Sequence, residues 1–287
     1  MKNKRRAGTV LLLIAALIIF VLTLVIRPSP GGEESLSELM KDAVLHEKNR
    51  ISLFGIKDVN PGLISAYCVT GIFLVIGLLV RFIEVPRFKM NPGKVQLLLE
   101  MAVGYFDSLA KKNSPHRNGF LGAYLFSAGS YIFVGTLFEL LGWQAVTTEG
   151  ASISLPAPLS DINGDIAMGV TSFLVIVCGG FAANRMRGAG SALKEFSLPI
   201  SMSFRLFGAL LSGALVTEMV YYTAKLSYFI PVAVGVLFTI LHAIVQTYVL
   251  TMLVSLFYGE VTEPPKEKPK KQKKQKENQP IIGGQLS

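Results

Sequence analysis

Charge is scarce in this sequence, and so are the residues that build most catalytic sites. Asp, Glu, Lys and Arg make up only 16% of 287 residues, against 51% hydrophobic, and mean hydropathy is +0.49. That excludes an ordinary soluble domain, whose surface needs far more charge, and indicates a polytopic membrane protein. The two cysteines, Cys68 and Cys178, lie far apart inside apolar segments. They form neither a disulfide framework nor a thiolate metal site, so they are read as packing residues and no metal or cofactor is expected. The three histidines, His46, His116 and His242, are too distant from one another to make the H-E-x-x-H pair of a zinc protease. A G-x-S-x-G nucleophile motif is missing. A Gly-rich phosphate cradle is missing too, so the chain is not expected to bind or hydrolyse nucleotide by itself, nor to act as an enzyme alone.

The net charge of +9 does not point to nucleic acid, because much of it sits in terminal clusters. Lys2, Lys4, Arg5 and Arg6 precede the first apolar run, and a lysine run extends from Lys266 to Lys276. Basic flanks beside apolar segments mark the cytoplasmic ends of a membrane protein.

Six apolar segments are present, and they predict an all-α membrane fold. The first, 10–26, is long enough to span. A cleavable signal peptide competes with that reading. No small-x-small cleavage site follows before "RPSPGGEES", so a retained anchor over 1–30 is expected. Residues 31–62 are expected to form an external polar segment. The next spans fall at 63–83, 119–142 and 162–182. Between the first two of these lies "GKVQLLLEMAVGYFDSLAKKN" (93–113), whose three- and four-residue apolar spacing predicts an amphipathic helix on the cytoplasmic surface. The last two stretches, 197–224 and 228–258, are unusually long and are predicted to be tilted, membrane-embedded helices. They close a membrane domain over 63–260. Residues 261–287 have no capacity to form a core and are expected to be a disordered basic cytoplasmic tail. Every basic cluster then falls on one side, which puts both termini in the cytoplasm.

The polar residues inside the last two stretches carry the chemistry. Arg205 sits in "SLPISMSFRLFGALLSGALVTEMVYY", where a permanent guanidinium costs about 3 kcal/mol at a helix centre. Glu218 follows on the same stretch. Thr239, His242 and Gln246 recur at i, i+3 and i+7 on the next, which places them on one helix face. Any one of these could simply bond a neighbouring helix. Arg, Glu, His and Gln confined to two consecutive helices instead suggest a hydrated ion path.

"PISMSFRLFGALLSG", followed some forty residues on by "QTYVLTMLVSLFYG", resembles subunit a of the F-type ATP synthase, the stator subunit facing the rotor ring. "PLSDINGDIAMG" (158–169) is similar to the segment opening that family's next-to-last upright helix, which brings Asp161 and Asn163 into the expected ion path. The resemblance covers roughly 60–260. It implies two offset aqueous half-channels, open to opposite sides, with Arg205 between them. The arginine would favour the ionised form of each ring carboxyl that passes and would keep cations from crossing directly between the half-channels. It further implies that Gln246 lies near Arg205 on the facing helix, and that the partners are a ring of c subunits and the peripheral-stalk b subunits. Membrane lipids are expected to meet the basic tail. The implied setting is an energy-transducing membrane, in particular a bacterial plasma membrane.

Several positions depart from the family pattern. Ala209 and Ala214 stand where the family usually carries Asn and Glu, Thr239 stands where it often has Glu or His, and Glu139 precedes "LLG" where Asn is common. Pairing Arg205 with Gln246 in antiparallel order puts position 209 opposite His242, in space that Ala209 vacates. On that basis Glu139 and Glu218 are expected to serve the outward half-channel, and Thr239 and His242 to line the route from there inward to the ring. The coupling ion, H+ or Na+, is set by the ring and is not read from this chain. The competing class is a self-contained secondary ion-coupled transporter with Arg205 as an anion clamp. Against it, the sequence has neither an inverted repeat nor a matched pair of broken helices.

Overall fold

The computed structural model describes residues 51–53, 56–147, 152–194, 196–223 and 229–264. The expected anchor over 1–30, most of the 31–62 segment, the turn near Lys225 and Ser227, and the lysine tail from 265 onward lie outside the described residues.

Two short strands, β1 (Ile51–Leu53) and β2 (Ile56–Val59), form an antiparallel hairpin. It leads into α1 (Pro61–Leu79), which starts two residues earlier than hydropathy alone predicts. The reason is local. Asn60 caps the helix by accepting from the Gly62 amide at 2.8 Å, and Pro61 occupies a first-turn position where its missing N–H costs nothing. The helical path continues through a π turn (Val80–Glu84) and a 3-10 turn (Val85–Arg87). Helix α2 (Lys94–Asn113) covers the predicted amphipathic segment. It buries Phe106 and Ala110 against α3 (Gly119–Phe138) and leaves Leu98 and Met101 exposed.

A 3-10 turn (Glu139–Leu141) ends α3, and Gly142 stops it at φ +60, a left-handed conformation that suits glycine. A second hairpin follows, β3 (Gln144–Val146) with β4 (Ser152–Ser154). Ile51, Val69, Phe138 and Leu155 form a small apolar cluster beneath the two hairpins. Neither hairpin was expected from the sequence, but both are peripheral to a helical body.

Helix α4 (Ile162–Asn184) is followed by a reversal at Arg185, a non-glycine residue at φ 51. The chain returns as α5 (Met186–Lys194) and α6 (Ser197–Thr223), and α7 (Phe229–Thr262) closes the body. Among the described residues, four helical stretches are long and apolar enough to cross a membrane: Pro61–Arg87, Gly119–Leu141, Ile162–Asn184 and Val232–Thr262. A fifth arises if α5 and the first part of α6, bent 44° from one another, count as one broken span. Among the described residues, α6 is not itself one of these four stretches. These helices make the chain a multi-pass membrane protein with an all-α body.

The core lies among α3, α4, α6 and α7, around Leu121, Leu125, Ile132, Ile176, Leu206, Leu250 and Val254. Small residues bring the backbones together. A Cβ at Gly180 would sit 2.8 Å from the Gly188 carbonyl, and one at Gly179 would run into the Tyr258 ring. At one end of the bundle, polar groups tie two segments, the ends of α2 and α4, to the end of α7. Asn184 donates to the carbonyls of Val261 (3.0 Å) and Glu263 (2.8 Å). Asn113 donates to the Ser255 hydroxyl at 2.7 Å, and the Ser114 and Thr262 hydroxyls lie 3.1 Å apart. Arg117 donates to the Ala182 carbonyl at 2.7 Å, joining the start of α3 to the end of α4.

Candidate functional site

Helix α6 has two faces. Met202, Ser203, Leu206 and Gly213 are buried, and α6 packs on α4 and α7. Ser201, Phe204, Arg205, Gly208, Ser212, Val216 and Met219 recur at helical spacing and are exposed. Arg205 therefore points away from its own chain. It carries no hydrogen bond or ion pair among the described residues. A guanidinium held free in an apolar segment calls for a partner from outside the chain.

The structure makes α7 one continuous helix from Phe229 to Thr262, so Thr239, His242 and Gln246 do share a face. Gln246 is buried, at 6% exposure, whereas His242 and Thr239 are half-buried. Thr239 spends its hydroxyl on its own helix, donating to the Gly235 carbonyl at 2.9 Å. No hydrogen bond joins Arg205 to Gln246 among the described residues.

His242 is the link between the two helices. A Cβ on Gly213 would lie 2.9 Å from His242 Cε1 and 3.0 Å from Nδ1, so the imidazole rests directly on that glycine. The antiparallel expectation put His242 beside Ala209, and the observed contact is one turn further along α6. Gly213 is what makes room: any side chain there would meet the ring. The ring also lies near Phe238, with centroids 6.0 Å apart.

The remaining expected residues are spread around this pair. Glu139 is exposed in the turn after α3, and that turn packs against α7. Glu218 lies in the backbone of α6, but its side chain is outside the described set. Asp161 immediately precedes α4, and the Asn163 amide donates to its two oxygens at 3.2 and 3.3 Å. Both line a cavity of about 560 Å³ between α1, α3 and α4, with Tyr124, Ser127, Tyr131 and Thr171 on its walls.

One polar residue escaped the sequence reading. Asp165, in the first turn of α4, is fully buried, and neither carboxyl oxygen has a hydrogen-bond partner. The available signal was its spacing: it stands four residues after Asp161, inside a segment otherwise free of charge until Arg185. Among the described residues there is no cluster of His, Cys, Asp or Glu able to hold a metal ion.

The architecture defines a class: a multi-pass, largely helical membrane protein, with a cation on an outward helix face. Residues 65–259 match the family model described as ATP synthase A chain. Among curated relatives, the ATP synthase subunit a of Histophilus somni (strain 129Pt) is 26% identical over 198 residues, covering 58% of this chain and 72% of the relative. Those of Actinobacillus pleuropneumoniae serotype 7 (strain AP76) and Acidothermus cellulolyticus are 23% and 25% identical, covering 72% and 66% of those proteins. The chain belongs to the ATP synthase subunit a family. As a member it is a stator component that couples ion translocation to rotation of the partner ring, and it carries out no nucleotide chemistry itself. It associates with the c ring and with other stator subunits.

Proposed function

We propose that Arg205 is the fixed charge separating two ion half-channels, and that the exposed face of α6 around it is presented to the ring. The observation that carries this reading is the free guanidinium on an outward face, while the opposite face of the same helix is packed at Met202, Ser203 and Leu206. A ring carboxyl arriving beside Arg205 is drawn into its ionised form and surrenders its ion to one half-channel. Once past the arginine it takes up an ion from the other. The same positive charge repels free cations and so prevents a direct leak. Lysine is a poor substitute because a buried ammonium sheds its proton far more readily than a guanidinium.

Gln246, His242 and Thr239 line the facing surface of α7, with His242 seated on Gly213. Glu139 and Glu218 supply carboxylates to the outward half-channel, and Asp161 and Asn163 lie at its mouth. Helix α7, at about 51 Å for 34 residues, exceeds a hydrocarbon core of about 30 Å, which supports a tilted placement for it. Helix α2 lies along the cytoplasmic surface, where peripheral-stalk b subunits dock. The 63–260 domain is preceded by a retained anchor, completing six apolar helices, and followed by a tail that meets anionic lipid. Both termini are cytoplasmic in a bacterial plasma membrane.

The test is Arg205→Ala and Arg205→Lys in the assembled complex. ATP-driven ion uptake into inverted vesicles should vanish in both, and Arg205→Ala should raise passive leak. A coupled, ion-tight Arg205→Ala complex refutes the reading.

A further inference from the structure

The least explained group among the described residues is Asp165. Its side chain is wholly inside the protein, with both oxygens unbonded. Burying a carboxyl without a hydrogen-bond partner costs several kcal/mol, so such a group is normally removed by selection or satisfied by something the chain does not itself supply. Three neighbours place it. Asp161 lies one turn earlier, about 6 Å along the helix axis, and its carbonyl accepts from the Asp165 amide at 3.2 Å. Asp161 is also on the wall of the 560 Å³ cavity. On the other side, Ser203 of α6 donates to the Asp165 carbonyl (3.2 Å) and to that of Pro199 (2.7 Å). Ser203 is two residues from Arg205. The contact is close, because a Cβ on Gly169, one turn beyond Asp165, would sit 2.8 Å from the Pro199 carbonyl.

The geometry points to Asp165 as a further ion-handling residue: a carboxyl that takes up the translocated cation between the cavity at Asp161 and the α6 segment bearing Arg205. This rests on the half-channel reading above. The cation, a proton or Na+, satisfies the unbonded oxygens while it resides there, and Asp161 hands it on at a spacing of one helical turn. A merely structural aspartate would have been expected to cap the helix or to accept a hydrogen bond, and Asp165 does neither.

The experiment uses vesicles carrying the complete complex, with Asp165→Asn, Asp165→Glu and Arg205→Ala compared side by side. Assembly is followed by retained ATP hydrolysis, and conduction by passive ion flux after the catalytic sector is stripped. Asp165→Asn should assemble but lose passive flux by about a hundredfold, the low end of what a positioned proton-transfer group contributes. Asp165→Glu should restore most of that loss. Flux in Asp165→Asn above about half the normal value overturns the assignment. Should Asp165→Asn fail to assemble, Asp165→Cys with Cys68 and Cys178 replaced by Ser gives the second arm. Its thiol should react with silver ions added from the side facing the cavity, and an unreactive thiol overturns the assignment as well. Arg205→Ala separates the two levels. If it uncouples while Asp165→Asn conducts normally, only this inference falls; if it stays coupled, the half-channel reading falls first.

Discussion

Gly213→Ala places one methyl group against the ring of His242. The new carbon would lie 2.9 Å from Cε1 and 3.0 Å from Nδ1, whereas carbon contacts are comfortable at about 3.5–4.0 Å. Something must therefore move by roughly 0.5 Å, and the imidazole, attached to α7 through two rotatable bonds, is the softer party. Overpacking of this kind costs about 1–3 kcal/mol. Replacing glycine by alanine in a helix returns about 1 kcal/mol, so the net loss of stability is expected to be about 0–2 kcal/mol. Function should suffer more than stability. Displacements near 1 Å at a working site cost up to about a hundredfold, and half of that displacement implies roughly three- to tenfold slower ATP-driven ion uptake. The assay is a double-mutant cycle with His242→Ala, reading uptake in inverted vesicles normalised to assembled complex. Gly213→Ala should slow uptake on its own and have almost no further effect once the ring is gone. Two fully additive losses would show that the methyl group acts elsewhere, and the contact between Gly213 and His242 would lose its functional meaning.

Replacing Glu139 and Glu218 together by Gln should lower ATP-driven uptake severely while ATP hydrolysis persists, and undiminished uptake would remove both from the ion path. Asn184→Ala should lower the thermal stability of the subunit by about 1–3 kcal/mol, because the carbonyls of Val261 and Glu263 each lose a donor. Tyr124→Phe breaks a 2.8 Å bond to Ser172 and should cost only about 0.5–1.5 kcal/mol of stability, read by thermal unfolding. Gly179→Val should prevent assembly, since its side chain would occupy the space of the Tyr258 ring, and Tyr258→Ala should restore part of it.

What the sequence made legible was the apolar body. Runs of about twenty apolar residues fixed three spans to within a few residues, because hydropathy and helix geometry act on the same length scale. The start of α1 was misjudged by two residues because a local cap, Asn60 with Pro61, outranked hydropathy. The face shared by Thr239, His242 and Gln246 followed directly from helix periodicity. The facing position of His242 did not. A register between two long helices depends on crossing angle and on where small residues allow approach, and here Gly213 provides space for the ring. The hairpins at 51–59 and 144–154 were missed because strands of three or four residues leave too short an alternation to read. Asp165 was missed because burial of a single carboxyl is a tertiary property, and its sequence neighbours looked like an ordinary polar helix start.

The polar ties at the end of α7 have a mechanical consequence. Ser255, Thr262 and the carbonyls of Val261 and Glu263 are pinned by side chains from two other segments, while His242 lies roughly 20 Å up the same rod from Ser255. With that upper length facing the ring as proposed, a passing rotor would push on it sideways, and the helix would behave as a beam clamped at one end. Stiffness against torque is thus set far from the charges that the torque serves. Loosening the clamp should let the machine slip under load while it still turns freely without one.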